Sequence, residues 1–416
     1  MIRVLLIDGV GPFGGASRSL YEALRAMPRD EVDVRFLAVR GTVVPLYSEV
    51  STDLIATSGL TRFDNTRYSH YRGIRWIVLL RELSHLPFTI AAIVKARLRW
   101  RHVDLIHANE ITELIPGLLA RWAFRAPLVV HVRSLQRVES RSLRCRWIAH
   151  TLRADVDAIV AIDENVRATL PHDVKVDVVH NSFTPKVSAS ADPILLRRLA
   201  DLRPGSLKVG FVGNLHQSKG IFDLLTAAEI LRDSGKDVEF VIVGGATRSD
   251  VGVRRWLLRR LGLEQDVGAR VGEQIAARGL GANVHLLGAT SDIQRVYERI
   301  DVLCFPSHFD APGRPVFEAA FSGVPSITAV TTPREDTLVD GETGLAVPGE
   351  DPVRLAAAIG YFADNRGEIS RMGANAKALA ERNFDPRRNA EKLLAVYSGV
   401  IRQLAPTALQ SHPRPQ

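Results

Sequence analysis

What most limits the folds open to this chain is a repeated alternation of short Val, Ile and Leu runs, each closed by a turn residue, with longer segments of helical spacing. In the first half the runs read RVLLID, VDVRFLAV, VDLIHAN, PLVVHVR, VDAIVAID and VKVDVVHN, and in the second LKVGFVGN, VEFVIVGG, NVHLLGA, DVLCFPS and VPSITAV. A strand with one wet face alternates apolar and polar residues. These runs do not, so both faces are covered, as in the interior of a parallel sheet. Parallel neighbours need crossovers, and segments such as Ala16 to Arg25 and Ile221 to Ser234 supply them. The chain reads as α/β, twice over.

At 416 residues it exceeds one ordinary core. The break is placed where SFTPKVSASADP precedes a fresh strand at Leu207. The expected division is an N-terminal Rossmann-like domain over 1–185 joined by a C-terminal helix at 386–404, a linker over 186–206, a C-terminal domain over 207–385 and a disordered tail over 405–416.

The opening MIRVLLID is too short and too polar at its end for a signal peptide and reads as a buried strand. The stretch from Gly73 to Trp100 is broken by Arg81, Glu82, Pro87, Lys95 and Arg97, which argues against a membrane span. Cys145 and Cys304 lie far apart without metal-ligand spacing, which fits a reducing compartment. The net charge of +8 fits anionic partners, but no compact basic patch is interleaved with aromatic residues, so nucleic acid is not expected.

Two stretches carry anion-binding chemistry. Asp8 to Leu20 reads DGVGPFGGASRSL, a strand, a glycine-rich turn and a helix start, where free N–H groups favour an anion. Gly9, Gly11 and Gly14 also satisfy G-x-G-x-x-G, and Arg40 at the end of the second strand would suit NADP, so an NADP-dependent oxidoreductase stands as an alternative. The second stretch, VGFVGNLHQSKG, brings Lys219 beside the next helix start, where ammonium and helix dipole act on the same anion. Further on, FPSHFDAPGRPVFEAAFSGVP sets Asp310 and Glu318 seven residues apart, with Glu318 read as opening an alanine-rich helix.

These segments, in this order, resemble glycosyltransferase family 4, retaining enzymes of the GT-B fold. The resemblance lies in Gly14-Gly15-Ala16-Ser17, in strands ending at His107 and His131, in Val212-Gly213-Asn214-Leu215 with Lys219-Gly220, in Pro306-Ser307, Asp310, Glu318-Ala319-Ala320, Gly323 and Pro325, and in Asp340 to Leu345. It covers nearly the whole chain. It implies two Rossmann-like parallel-sheet domains facing across a cleft, with a nucleotide-sugar donor, UDP- or GDP-linked, held by Gly14, Gly15, Gly213, Asn214, Lys219, Gly288, Gly313, Arg314 and Glu318. Glu318 would take the ribose hydroxyls, Lys219 the diphosphate and Asp310 the donor sugar. His131, ahead of His107, would contact donor sugar or acceptor. The catalytic set so implied is Asp310, Glu318, Lys219 and His131, with no metal and no cofactor.

The chain departs from the family pattern at Asn214, where arginine is usual, and at Asp310, where glutamate is usual. Arg314 is the candidate to replace the missing cation. A non-catalytic binding protein of the same fold is the reading in which these two departures mark decay. The acceptor is expected to be a glycan or lipid-linked glycan of the cell envelope or an exopolysaccharide. The enzyme would be cytoplasmic, touching the inner membrane face through the basic, tryptophan-bearing segment 67–101.

Overall fold

The computed structural model describes residues 1–67, 77–139, 142–186, 192–245 and 267–404. It consists of two compact units: Met1–Phe183 with Phe384–Gln416, and Thr184–Asn383. Residues 68–76 of the basic segment, Trp76 among them, and the tail 405–416 lie outside the described residues.

The sheet of unit 1 has strands β1 (Ile2–Asp8), β2 (Val32–Val39), β3 (Asp53–Thr57), β4 (Leu105–Ala108), β5 (Leu128–Val132), β6 (Ala158–Ala161) and β7 (Val176–Val178). They run in the order β3-β2-β1-β4-β5-β6-β7, and every pairing is parallel. Leu6 at the centre pairs with Phe36 on one side and His107 on the other. Val4 to Ile7 are wholly buried, which is why β1 reads as an unbroken apolar run. The last helix, Pro386–Leu404, belongs to this unit: Ala390, Leu393, Tyr397 and Val400 complete the core formed by Val4, Leu6, Leu20 and Phe36.

Unit 2 has β8 (Leu207–Val212), β9 (Val238–Val243), β10 (Val284–Gly288), β11 (Val302–Phe305), β12 (Ser326–Ala329) and β13 (Gly344–Val347), all parallel, in the order β10-β9-β8-β11-β12-β13. Phe211, Leu224, Phe240 and Phe362 fill one face; Val241, Leu303, Phe305 and Val316 fill the other. In both sheets the strand order reverses once, between β1 and β4 and between β8 and β11. At such a reversal the crossovers part to opposite faces and leave a crevice at the carboxyl ends of the strands.

The segment read as a linker over 186–206 is corrected by the structure. It carries a helix, Pro193–Ala200, capped by the Asp192 carboxylate, which accepts from Ile194 N–H at 2.9 Å. Leu195, Leu199 and Leu202 pack on Val241, Val243 and Leu303, so this helix is part of the unit 2 core. Among the described residues no helix is long and apolar enough to cross a membrane.

Candidate active site

The carboxyl ends of β8 and β11 carry most of the residues singled out in the sequence. The loops there are tied together by the backbone: Gly213 N–H donates to the Val243 carbonyl at 3.0 Å, Gly244 N–H to Gly288 at 2.9 Å, and Leu215 N–H to Gly245 at 3.1 Å. Gly213 and Gly288 face open space where a side chain would begin, and Asn214 is exposed between them and the turn that follows. Gly220, at φ +71°, sits where a Cβ would come within 1.9 Å of the Pro306 carbonyl oxygen, so only glycine lets the two loops close on each other.

Lys219 ends the turn Gln217–Lys219 just before the helix Ile221–Asp233. Its ammonium lies 4.5 Å from the centre of the Phe309 ring and 5.4 Å from that of Phe305. No carboxylate among the described residues pairs with it. Burial lowers its pKa, and the two ring faces offset part of that cost. A cation kept charged by ring faces rather than by a fixed counterion remains available to an incoming anion.

Glu318 is placed differently from the sequence reading. The helix is Arg314–Ala320, so Glu318 is in its second turn and not at its start, and the dipole argument does not apply. The carboxylate is instead buried and held from two sides: Tyr297 Oη donates to Oε2 at 3.0 Å, and Arg314 Nε donates to Oε1 at 2.9 Å. Arg314 is thereby ion-paired with Glu318 one turn away through its Nε. Each carboxylate oxygen retains a second lone pair, so Glu318 can still accept from a ligand hydroxyl.

Asp310 adopts φ +50°, and its Oδ1 accepts from Thr331 N–H at 2.6 Å, which fixes the loop between β11 and the Arg314–Ala320 helix. Gly313 ends that loop. A Cβ there would come within 2.3 Å of the Phe305 ring, the same ring that flanks Lys219. The structure thus gathers Gly213, Asn214, Lys219, Asp310, Gly313, Arg314 and Glu318 around the β8/β11 reversal, with Gly288 at the end of β10, two strands from β8.

In unit 1 the glycine loop divides into two pairs. Gly9 N–H donates to Glu113 Oε1 at 2.5 Å, and a Cβ on Gly11 would meet the Arg40 carbonyl oxygen at 2.6 Å, so these two answer to packing. Gly14 and Gly15 are exposed at the start of the helix Gly15–Ala26. Beneath the loop the buried Asp8 carboxylate accepts from Val10 N–H at 2.9 Å, Asn109 Nδ2 at 3.0 Å, Ser17 Oγ at 3.1 Å and the Tyr47 hydroxyl. Burial, with Asp8 nearby, raises the Glu113 pKa well above the usual carboxylate range.

His131 and His107 are both buried, their rings stacked 5.5 Å apart. Burial holds His107 down to about 3 and His131 well below its ordinary value, so both are neutral. His107 Nδ1 lies 2.5 Å from the Tyr397 hydroxyl. Arg133 reaches His131 Nδ1 at 3.2 Å, Asn109 Oδ1 at 2.8 Å and Asn181 Oδ1 at 3.1 Å. At 2% exposure His131 is packed against Arg133, and its Nε2 is buried without a hydrogen-bond partner. Tyr297 and Arg133 were not legible as site residues. The first looks like an ordinary core position in a helix, and the second like one of many surface arginines.

A parallel sheet that reverses its strand order offers a phosphate-binding crevice, and a chain carrying two such sheets has the architecture of the sugar transferases built from paired Rossmann-like domains. Residues 197–379 match the family described as Glycosyl transferases group 1, and residues 13–186 match Glycosyltransferase Family 4. The chain belongs to the group 1 glycosyltransferases of family 4, enzymes of glycan synthesis that use nucleotide sugars. It is 26% identical over 390 residues to a D-inositol 3-phosphate glycosyltransferase of Corynebacterium diphtheriae, an alignment covering 87% of each chain. It is 24% identical to the lipopolysaccharide core biosynthesis mannosyltransferase LpsB of Rhizobium meliloti, over 71% of this chain and 79% of that one. The crystal structure of Anabaena HepE in complex with UDP and glucose superposes with a TM-score of 0.71 at 20% identity, covering 96% of this chain and all of that one. The oxidoreductase alternative is not favoured by any of these likenesses.

Proposed function

We propose that the protein is a retaining glycosyltransferase whose donor, a UDP- or GDP-linked sugar, is bound by unit 2, and whose acceptor is a glycan or lipid-linked glycan of the envelope or an exopolysaccharide. The observation that carries this reading is that one strand reversal bears both Lys219, a cation with no carboxylate partner among the described residues, and Glu318, a buried carboxylate clamped by Tyr297 and Arg314. Lys219 neutralises charge developing on the leaving diphosphate, which is the main electrostatic demand of the step. Glu318 accepts from the ribose hydroxyls, Asp310 and the Gly313 turn hold the donor sugar, and Gly213, Asn214 and Gly288 leave room for the nucleotide. His131 serves as a positioning residue for Arg133. The HepE complex with UDP and glucose supports the UDP assignment.

Membrane-surface contact is proposed for the helix Leu86–Trp100. Phe88, Ile90, Val94 and Leu98 are exposed on it, and Trp122 is exposed beside Arg97 and Arg121. This combination of apolar and cationic side chains suits the inner face of an anionic membrane.

A donor screen tests the function: thermal shift and hydrolysis with UDP-, GDP- and dTDP-linked sugars, for the wild type and Glu318→Ala. One donor class stabilising and being hydrolysed by the wild type alone is expected. No response to any donor overturns the reading, and the anomeric configuration of the product, read by NMR, decides retention. Co-sedimentation with anionic vesicles, weakened by Leu98→Asp, tests the membrane contact.

A further inference from the structure

Unit 1 has its own crevice near the β1/β4 reversal, lined by residues that the donor chemistry does not use. A cavity of about 280 Å³ there is bounded by Arg62 and Asp64 from the segment after β3, Glu82 from the helix Ile77–Ser84, Glu110 and Thr112 after β4, and Ser134 after β5. Topology alone makes this a place where a ligand can approach backbone and side chains from several strand ends.

Two of its lining residues have buried polar atoms with no partner. Thr112 is 2% exposed and its Oγ1 makes no hydrogen bond; Arg62 Nε is likewise buried and unbonded. Buried polar atoms are nearly always paired, so two on one cavity wall ask for a ligand. The neighbouring charges are otherwise engaged. Arg81 pairs with Glu82. Glu110 accepts from Ile111 N–H at 2.8 Å, Arg133 N–H at 3.2 Å and Ser134 Oγ at 2.9 Å. Asp64 Oδ1 accepts from Thr66 N–H at 2.8 Å. Glu113 and Arg62 both approach Gly9, and Glu113 Oε1 accepts from the Gly9 N–H at 2.5 Å. Arg62 is therefore a cation in this cavity with no carboxylate paired to it among the described residues, while Asp64, Glu82 and Glu110 line the wall with acceptors.

That charge pattern selects a ligand class. Carboxylate acceptors and the Thr112 hydroxyl suit ring hydroxyl groups, and a guanidinium that makes no ion pair among the described residues suits one anionic substituent. We propose that this cavity receives the acceptor as an anionic sugar or polyol, its phosphate or carboxylate seated on Arg62 and a ring hydroxyl on Thr112. The proposal rests on the transferase reading, since it is the second substrate of that reaction that would bind here.

The test is calorimetric titration of the full chain with glucose 6-phosphate, glucuronate and glucose. The wild type is expected to bind at least one of the two anions ten or more times more tightly than glucose. Arg62→Gln should abolish that preference, Arg62→Lys should keep part of it, and Thr112→Val should weaken all three sugars alike. An unchanged preference in Arg62→Gln, or no binding of either anion by the wild type, overturns the proposal. If Arg62→Gln does not fold, the Arg62 Nε–H resonance of the wild type decides: inorganic phosphate should move it, and an unmoved resonance overturns the assignment. Vesicles containing phosphatidylinositol, set against soluble glucose 6-phosphate, tell a membrane-borne headgroup from a free one, and Arg62-dependent binding of either supports the site. Donor binding is read separately, by thermal shift of the wild type with UDP-glucose and GDP-mannose, so its failure points to the transferase reading and not to this cavity.

Discussion

Tyr297 and Glu318 meet through a 3.0 Å hydrogen bond in the interior of unit 2, between a short helix that precedes β11 and the helix that follows it. With Arg314 on the other oxygen, the carboxylate plane is set before any ligand arrives. Tyr297→Phe keeps the ring and removes the donor. A hydrogen bond to a charged group contributes about 1.5 kcal/mol, so donor KM should rise about tenfold with kcat nearly unchanged. Steady-state kinetics across donor concentration checks it; an unchanged KM would show that the clamp does not orient Glu318.

Gly313 and Lys219 are coupled through the Phe305 ring. In Gly313→Ala the new methyl overlaps the ring, which must turn or shift, and the ammonium loses one of its two aromatic faces. Overpacking of this kind costs about 1–3 kcal/mol, visible as a lower urea midpoint. Activity should fall further than stability does, because the shifted ring also displaces Lys219. A variant that is destabilised yet fully active would break the coupling.

Lys219 should set the alkaline limb of the pH–rate profile. Its pKa lies below the ordinary lysine value of 10.5 because burial disfavours the charge, and transfer needs the protonated form, so activity falls as pH rises through that lowered value. Lys219→Arg should move the limb upward, and Lys219→Ala should lower kcat by roughly 10²–10³. The stability effect has the opposite sign. The native state holds this proton less tightly than the unfolded chain, so stability rises with pH between the lowered value and 10.5, a rise that Lys219→Met should remove. Denaturation midpoints measured across that window check it.

His107 and Tyr397 tie the centre of the unit 1 sheet to the last helix. Tyr397→Phe leaves a buried imidazole nitrogen without its partner and should cost about 1–3 kcal/mol in thermal or urea unfolding. Because His107 titrates at about 3 in the fold against 6.5 when exposed, the unfolded chain takes up the proton first. Stability is then lost as pH falls from about 6.5 toward 3, and His107→Gln should flatten that part of the acid-unfolding curve.

Much of the fold was legible because a strand buried on both faces has little choice of residue. The runs at Val4–Ile7 and Val238–Val243 could hardly be anything else. β3 shows the same reason in reverse: Asp53–Thr57 is a half-buried edge strand, and its short DLIAT run lacks the two-faced apolar signature. The Pro193–Ala200 helix was hidden by the Ser- and Ala-rich stretch before it, although Asp192 as a cap and leucines at 195, 199 and 202 were there to be read. At the site, local motifs gave Lys219, Asp310 and Glu318. Pairings between distant residues, such as Tyr297 with Glu318 or Glu113 with Gly9, leave no trace in spacing, because the sheet order that makes them neighbours is not written in either segment.

The return of the last helix to unit 1 has a consequence for biosynthesis. Leu393, Tyr397 and Val400 fill a core whose other members are translated hundreds of residues earlier, Val4 and Leu6 among them. While the ribosome is still adding unit 2, the first unit has its sheet but lacks the side chains that close one face. The nascent polypeptide therefore holds an open apolar surface through the synthesis of an entire domain, and the unit begun first is the one finished last.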